Sequence, residues 1–334
     1  MTKISTRRLG RTDLALTELG MGCAPLGELF ECISEEQAQA TLRAAWDAGV
    51  RYFDTSPFYG HGKSEHRLGQ FLRQRDRDEF VVSTKIGRVF TAAVDPRRFD
   101  PAPWRGALPF EFRFDYSYDG VMRSWEDSLH RLGLAAVDLL LVHDLDPGYH
   151  SPEVFDSHLR ELADSGCRAL GELRDAGRIG GIGVGINCLG MIPRFLDAFD
   201  PDFFLVAMPF TLLDQGVLEN EFPRCAERGV GIIIGAVYAS GILVTGPVDG
   251  ARYAYAPAAP EILEKARRIE SVCRRFDVPL AAAALQFPLR HPLVSAIIPG
   301  ALAPEHVRQT TRHLERDIPD ALWTELEAEG LVRR

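Results

Sequence analysis

Four side chains of unlike chemistry stand where short apolar runs end. Asp54 falls in Tyr52-Phe53-Asp54-Thr55, and Tyr59 follows in Ser56-Pro57-Phe58-Tyr59-Gly60. Lys85 closes Val81-Val82-Ser83-Thr84-Lys85, and His143 closes Leu140-Leu141-Val142-His143. Taken singly, an Asp after a strand has an ordinary use as a turn or cap residue. An apolar strand that ends in Lys is less ordinary, because a buried ammonium without a partner is costly. Together the four types suit proton exchange at an oxygen. A phenol ordinarily titrates near pH 10, too high for efficient exchange near neutrality. An ammonium about 4 Å away would favour the phenolate by roughly 4 kcal/mol at an effective dielectric of 20. In that arrangement Asp54 keeps Lys85 charged and oriented, and His143 donates a hydrogen bond to a carbonyl or hydroxyl oxygen. Tyr59 then gives up a proton during reduction, or takes one during oxidation, while a cofactor carries hydride.

Side chains so far apart in sequence need a scaffold that brings strand ends together. Apolar, β-branched runs predict eight strands: Leu16–Cys23, Arg51–Thr55, Phe80–Lys85, Val137–His143, Ile182–Ile186, Phe203–Met208, Gly231–Ala236 and Ser295–Pro299. Helical patterns lie between and after them, near 34–48, 64–74, 120–132, 153–176, 189–198, 217–228, 260–276 and 304–314. Near-continuous apolar strands suit a parallel sheet buried on both faces. Eight βα units in 334 residues imply one closed (β/α)8 barrel, the TIM-barrel architecture, spanning 1–334 with its active site at the C-terminal ends of the strands. Ser34 with Glu36 and Gln37 predicts an N-cap, Gly49 a C′ residue, and Pro304-Glu305 a first helical turn. Residues 95–118 break the rhythm. They hold four prolines together with Phe99, Trp104, Phe110, Phe112 and Phe114, and predict a long loop insertion covering the strand ends. A second Gly-, Pro- and Tyr-rich loop, 245–259, follows the seventh strand.

Bulk properties exclude several partners. A formal charge of −9 argues against nucleic acid and anionic membranes, which need a basic face. No apolar run reaches the roughly 18 residues that span a bilayer, and no signal-peptide core follows the basic start of the chain. Six scattered cysteines without a C-x-x-C spacing read as reduced thiols in a cytoplasm, and nine histidines form no ligand set, so no metal is expected. The oligomeric state has no signature in the sequence.

The motifs Leu9-Gly10-Arg11-Thr12-Asp13-Leu14, Gly20-Met21-Gly22, Phe53-Asp54-Thr55-Ser56-Pro57-Phe58-Tyr59-Gly60 with Ser64-Glu65, and Ser83-Thr84-Lys85 resemble those of the aldo-keto reductase superfamily, and the resemblance runs along almost the whole chain. It implies that Asp54, Tyr59, Lys85 and His143 are a catalytic tetrad, and that an extended nicotinamide dinucleotide binds without a Rossmann domain. Of the Ser-Asn pair that holds the carboxamide, only Asn187 is present; Gly185 supplies no hydroxyl. Val206-Ala207-Met208 stands where many relatives have a Gln, and Tyr238 is out of register for stacking on the nicotinamide. Further cofactor contacts implied are Ser240, Gly241 and Leu243 after the seventh strand, and Pro299, Gly300, Leu302, His306 and Gln309 after the eighth. Relatives that grip a 2′-phosphate place Lys or Arg near Gly300, Leu302 and His306. A dianion needs such charge-assisted donors, and this segment offers His306, with Glu305 repelling and Arg308 displaced. NAD is therefore expected as the preferred cofactor, with NADP possible.

Within the superfamily, Val142-His143-Asp144, the insertion and Gly235-Ala236-Val237-Tyr238-Ala239-Ser240-Gly241-Ile242-Leu243 resemble the branch of L-fucose and D-threo-aldose 1-dehydrogenases, with pyridoxal 4-dehydrogenases beside it. The resemblance implies oxidation of an aldose hemiacetal to a lactone. Asp144 is expected to accept hydrogen bonds from sugar hydroxyls, and Phe30, Phe58 and Trp104 to wall the substrate. The alternatives are oxidation of pyridoxal, an NADPH-dependent aldehyde reductase, a non-catalytic nicotinamide-binding accessory subunit and, on the same fold, a metal-dependent hydrolase.

Overall fold

A computed structural model describes residues 4–29, 31–254 and 256–333. Its centre is a ring of eight short strands: β1 (Met21–Gly22), β2 (Tyr52–Asp54), β3 (Val81–Ile86), β4 (Leu139–Val142), β5 (Gly181–Ile186), β6 (Phe203–Val206), β7 (Gly231–Ile234) and β8 (Val294–Ile297). Each strand pairs in parallel with the next. Parallel bridges from Leu19 to Ile297 and from Gly22 to Gly300 close the ring between β1 and β8. The closed (β/α)8 barrel read from the sequence is the observed architecture.

The strand period of two divides the apolar residues into two cores. Tyr52, Leu139, Leu141, Phe203, Leu205, Ile233 and Ala296 point inward and pack on one another inside the barrel. Their neighbours Phe53, Leu140, Val142, Phe204, Val206, Ile232 and Ile234 point outward, into the layer between barrel and helices. An antiparallel hairpin, Thr6–Arg8 with Ala15–Thr17, plugs the N-terminal mouth and inserts the fully buried Leu9 and Leu16 into the inner core. Such burial contributes about 2 kcal/mol per side chain. Gly10 at the hairpin tip lies so close to β7 that a Cβ there would sit 2.4 Å from the Gly231 nitrogen. The single strand expected over Leu16–Cys23 is thereby divided. The chain leaves its antiparallel partner at Thr17 and joins β8 from Leu19, with Glu18 O accepting from Ile297 N and Gly20 N donating to Ile297 O.

The helices follow the predicted order. Ser34 caps Glu35–Asp47 through its side chain, 3.1 Å from Gln37 N, and Gly49 beyond it has φ 95. The helix expected over 153–176 passes from Pro152–Glu161 through a π-turn at Leu162–Gly166 into Cys167–Asp175. Leu280–Gln286, Asp320–Ala328 and the single turn Ile242–Thr245 are helical segments outside the expected set. Among the described residues no helix is long and apolar enough to cross a membrane.

The insertion after β3 is a hairpin, Arg88–Ala92 antiparallel to Phe110–Phe114. Its tip is tethered across the strand ends by Arg105 N to Glu28 O (2.9 Å) and Leu108 N to Gly60 O (3.0 Å). The loop 245–259 carries a small antiparallel pair, Arg252–Tyr253 with Ala256–Pro257.

Candidate active site

Strand alternation and register converge the reactive groups. Inward-facing Tyr52 on β2 and Ser83 on β3 are followed two residues later by Asp54 and Lys85, and inward-facing Leu141 on β4 by His143. Asp54 lies opposite Ser83, and Lys85 opposite Leu141. All three therefore emerge at the C-terminal mouth. Lys85 Nζ donates to Asp54 Oδ1 (2.9 Å) and Oδ2 (2.7 Å) and to the Thr55 carbonyl (2.7 Å), which uses its three protons. Asp54 Oδ1 also accepts from Ser83 Oγ at 2.7 Å, and Ser83 lies 3.0 Å from the Tyr52 hydroxyl. Both side chains of the pair are only 2 % exposed, so a saturated set of hydrogen bonds offsets the loss of water.

Tyr59 reaches this pair from the turn after β2. Its N–H donates to Ser56 O, and its carbonyl accepts from Ser64 N, both at 3.1 Å. Gly27 packs against the same backbone, where a Cβ would meet the Tyr59 carbonyl carbon at 2.4 Å. The ammonium of Lys85 lies 4.9 Å from the centre of the Tyr59 ring. The imidazole of His143 meets the ring edge-on, with centres 5.9 Å apart and planes at 82°. Burial, and then the positive charges of Lys85 and Arg88, push His143 well below the usual histidine range, so it is neutral. Tyr116 anchors it by donating to the His143 carbonyl at 2.8 Å. The structure thus gathers Asp54, Tyr59, Lys85 and His143 around one point.

The substrate-wall residues divide. Trp104 is buried 5.5 Å from the Tyr59 ring and 5.3 Å from Phe58, and its indole Nε1 has no hydrogen-bond partner among the described residues. Phe58 is packed between Trp104 and Phe112. Phe30 lies outside the described residues. Asp144, expected as an open acceptor for substrate hydroxyls, is instead buried with Oδ2 2.8 Å from Arg88 Nη1. The reason is electrostatic: the guanidinium is itself buried and draws the nearest carboxylate.

The expected cofactor contacts form a rim at the same mouth. Asn187 follows β5, and its side-chain amide is held by Asp146 Oδ2 at 2.9 Å, while Asp146 Oδ1 accepts from Gly148 N at 2.8 Å. After β7, Ala239, Ser240 and Gly241 are successive left-handed residues with φ 48, 61 and 103. A Cβ on Gly241 would meet nothing within 4 Å, which leaves open space above this turn. Leu243 does not reach the rim: its side chain is fully buried and its N–H donates to Tyr238 O at 3.3 Å. The Tyr238 hydroxyl faces Thr310 of the outer helix Pro304–Glu315. After β8, Pro299 O accepts from Gly22 N (3.1 Å), and Gly300 bridges Gly22. Leu302 N donates to His306 Nδ1 at 3.3 Å, and His306 and Gln309 are exposed. Glu305 is clasped by Arg308 (2.8 Å) and Arg312 (2.5 Å). An oriented carboxamide, an open left-handed turn and a glycine rim fit an elongated dinucleotide. Ser56, Arg88 and Asp146 escaped sequence reasoning, because their partners lie far along the chain.

Residues 18–329 match the model of the aldo/keto reductase family. A pyridoxal 4-dehydrogenase from Microbacterium luteolum is 45% identical, covering 98% of this chain and 97% of the relative. A D-threo-aldose 1-dehydrogenase from a Pseudomonas species is 39% identical over 96% and 95% of the two chains. The chain belongs to the aldo/keto reductase family. It is an NAD(P)-dependent oxidoreductase, as the tetrad residues had implied. An L-galactose dehydrogenase from Arabidopsis thaliana is 30% identical, over 99% of this chain and 92% of its own. Among solved structures, the holo form of an aldo-keto reductase from Bacillus halodurans has the same fold, with a TM-score of 0.75 at 24% identity over 99% of this chain and 97% of its own.

Proposed function

We propose that this enzyme oxidises the hemiacetal carbon of a cyclic substrate to a lactone, with NAD as the preferred acceptor. The observation that carries the reading is the saturated Lys85–Asp54 pair beneath Tyr59, with a neutral His143 edge-on to the same ring. A bound nicotinamide dinucleotide supplies the hydride acceptor. Tyr59, favoured as phenolate by the Lys85 ammonium, takes the hemiacetal hydroxyl proton. His143 donates a hydrogen bond to that oxygen as it becomes the lactone carbonyl. Asp54 holds Lys85 charged, and the lid hairpin with Trp104 excludes water from the reacting atoms. Asn187, oriented by Asp146, is the residue proposed to hold the carboxamide; the turn Ala239–Gly241 and the segment Pro299–Gln309 are proposed to cradle the rest of the dinucleotide. The preference for NAD is supported by Glu305, which engages Arg308 and Arg312, two arginines of the helix that follows β8.

Two cyclic hemiacetals fit this chemistry, an aldose of the L-fucose or D-threo type and the hemiacetal of pyridoxal. Phe58 and Trp104 form an apolar aromatic wall, and Asp144 is already engaged by Arg88. Both features favour the flat pyridine ring, as does the 45% identity to a pyridoxal 4-dehydrogenase. Initial rates of NAD and NADP reduction with pyridoxal, L-fucose and D-arabinose decide among these readings. The expected result is a higher kcat/KM for NAD, with the highest value on pyridoxal and a product two hydrogens lighter. Faster NADPH oxidation with simple aldehydes would instead support a general aldehyde reductase.

A further inference from the structure

Arg88 lies just beyond β3, after Gly87, as the first residue of the lid hairpin, paired with Phe114. Its side chain is 2 % exposed, a costly place for a charge. Its guanidinium carbon sits over the faces of Phe58 (4.0 Å), Phe114 (4.6 Å), Phe112 (4.9 Å) and Tyr149 (5.2 Å), and Nε and Nη2 have no hydrogen-bond partner among the described residues. The ring faces stabilise the cation. Its remaining nitrogen is directed at two groups: Nη1 lies 2.8 Å from Asp144 Oδ2 and 3.4 Å from His143 Nδ1. Asp144 meets it from a left-handed backbone, φ 52, on a residue that is not glycine. Strain of this kind persists only where its surroundings enforce it.

The contacts at Nδ1 decide where the imidazole proton sits. A guanidinium has donors and no acceptor, so the nitrogen facing Arg88 must present its lone pair. Ser56 Oγ points the same way: it accepts from Phe58 N at 3.1 Å, which leaves its own proton for His143 Nδ1, also at 3.1 Å. The proton then resides on Nε2. We propose that Arg88 is a positioning residue for His143, holding it as the neutral Nε2–H tautomer and restraining Asp144 from drawing a second proton onto the ring. Asp144 Oδ1 lies 3.5 Å from Nε2, so an unpaired carboxylate there would favour imidazolium. The other groups facing His143 are Lys85 on β3, the Tyr59 phenol after β2, and the Tyr116 hydroxyl on its carbonyl. Lys85 and Arg88 oppose a positive ring, and Asp144 is the anion whose charge Arg88 offsets. This role rests on the reading that His143 donates to the substrate oxygen.

The test pairs histidine NMR, which reads the tautomer without any substrate, with pH–rate profiles of Arg88→Met, Asp144→Asn, the double variant and Arg88→Lys. In the wild-type protein the His143 nitrogens report the neutral Nε2–H form from pH 6 to pH 8. Arg88→Met brings His143 titration into this range, and kcat/KM at the acid end falls on the order of tenfold and recovers as pH rises. The double variant, which removes both charges, regains the neutral ring and most of the rate. Arg88→Lys keeps the cation and stays close to wild type. An unaltered His143 signal and pH profile in Arg88→Met would overturn the proposal. If the single variant does not fold, Asp144→Asn, which keeps both Nδ1 contacts, decides: a His143 that stays in the Nε2–H form supports the proposal, and one that takes the Nδ1–H form overturns the choice of tautomer by those contacts. A changed tautomer with no change in rate would leave the positioning intact and refute the role given to His143 in catalysis.

Discussion

Replacing Lys85 with Met removes the ammonium set beneath Tyr59. Its Nζ lies 4.9 Å from the ring centre, and at an effective dielectric of 20 two unit charges at that separation interact by roughly 3.4 kcal/mol. Lost from phenolate stabilisation, this is a factor of about 300 in rate at fixed pH. The substitution also strands Asp54, which keeps the hydrogen bond from Ser83 but loses its ion pair; breaking a buried pair costs about 3–5 kcal/mol of stability. Lys85→Met is therefore to be compared with Lys85→Met/Asp54→Asn, which removes both charges. Urea unfolding and kcat/KM for NAD reduction between pH 6 and pH 10 form the assay. The double variant is expected to regain most of the stability and none of the rate. In both variants activity should climb about tenfold per pH unit above neutrality, as hydroxide replaces the missing field. If Lys85→Met kept its rate within about threefold at pH 7 with an unchanged profile, the ammonium would not be what tunes Tyr59.

Other surfaces of the structure give further tests. Glu305→Ala frees Arg308 and Arg312 from their pairs at the start of the helix Pro304–Glu315. The ratio of kcat/KM for NADP over NAD should rise about tenfold with the fold unaffected, since exposed ion pairs contribute little; an unchanged ratio would remove Glu305 from cofactor selection. Burial lowers the pKa of His61, His66, His143, His150, His291 and His313. Below the ordinary histidine value near 6.5 the unfolded chain binds protons that the folded chain refuses, so stability falls as pH drops from 7 toward 5. Thermal melts should show Tm declining through that window, by roughly 2–4 °C for each kcal/mol lost; a flat or rising Tm would contradict the assignment.

Legibility in the sequence follows the range of the interactions. The barrel was readable because each βα unit carries its own local pattern, and Asp54, Lys85 and His143 because strand ends on one face converge by geometry alone. The division of Leu16–Cys23 was not, since the antiparallel partner of Ala15–Thr17 and the parallel partner of Leu19 come from opposite ends of the chain. Leu280–Leu285 is apolar and buried on every side, with polar Gln286 at its end, so the helix lacks the amphipathic period that marks surface helices. Asp144 was visible as a carboxylate after His143, but its partner was not. Arg88 carried no signal in the sequence, because the four rings around it come from three separate segments: Phe58 after β2, Phe112 and Phe114 in the hairpin, and Tyr149 after β4. Leu243 shared a glycine-rich segment with the rim residues, and only the turn at Ala239–Gly241 shows that its side chain enters the core.

The most direct test of the account is kcat/KM for NAD reduction with pyridoxal by the wild-type enzyme and by Tyr59→Phe, with the product identified by mass. Removing one hydroxyl from a ring packed against Trp104 and His143 preserves the packing and deletes the proton acceptor. Lactone formation by the wild type is expected, with a loss of about 10²–10⁴-fold in the variant and NAD still bound. Comparable turnover by Tyr59→Phe would contradict it.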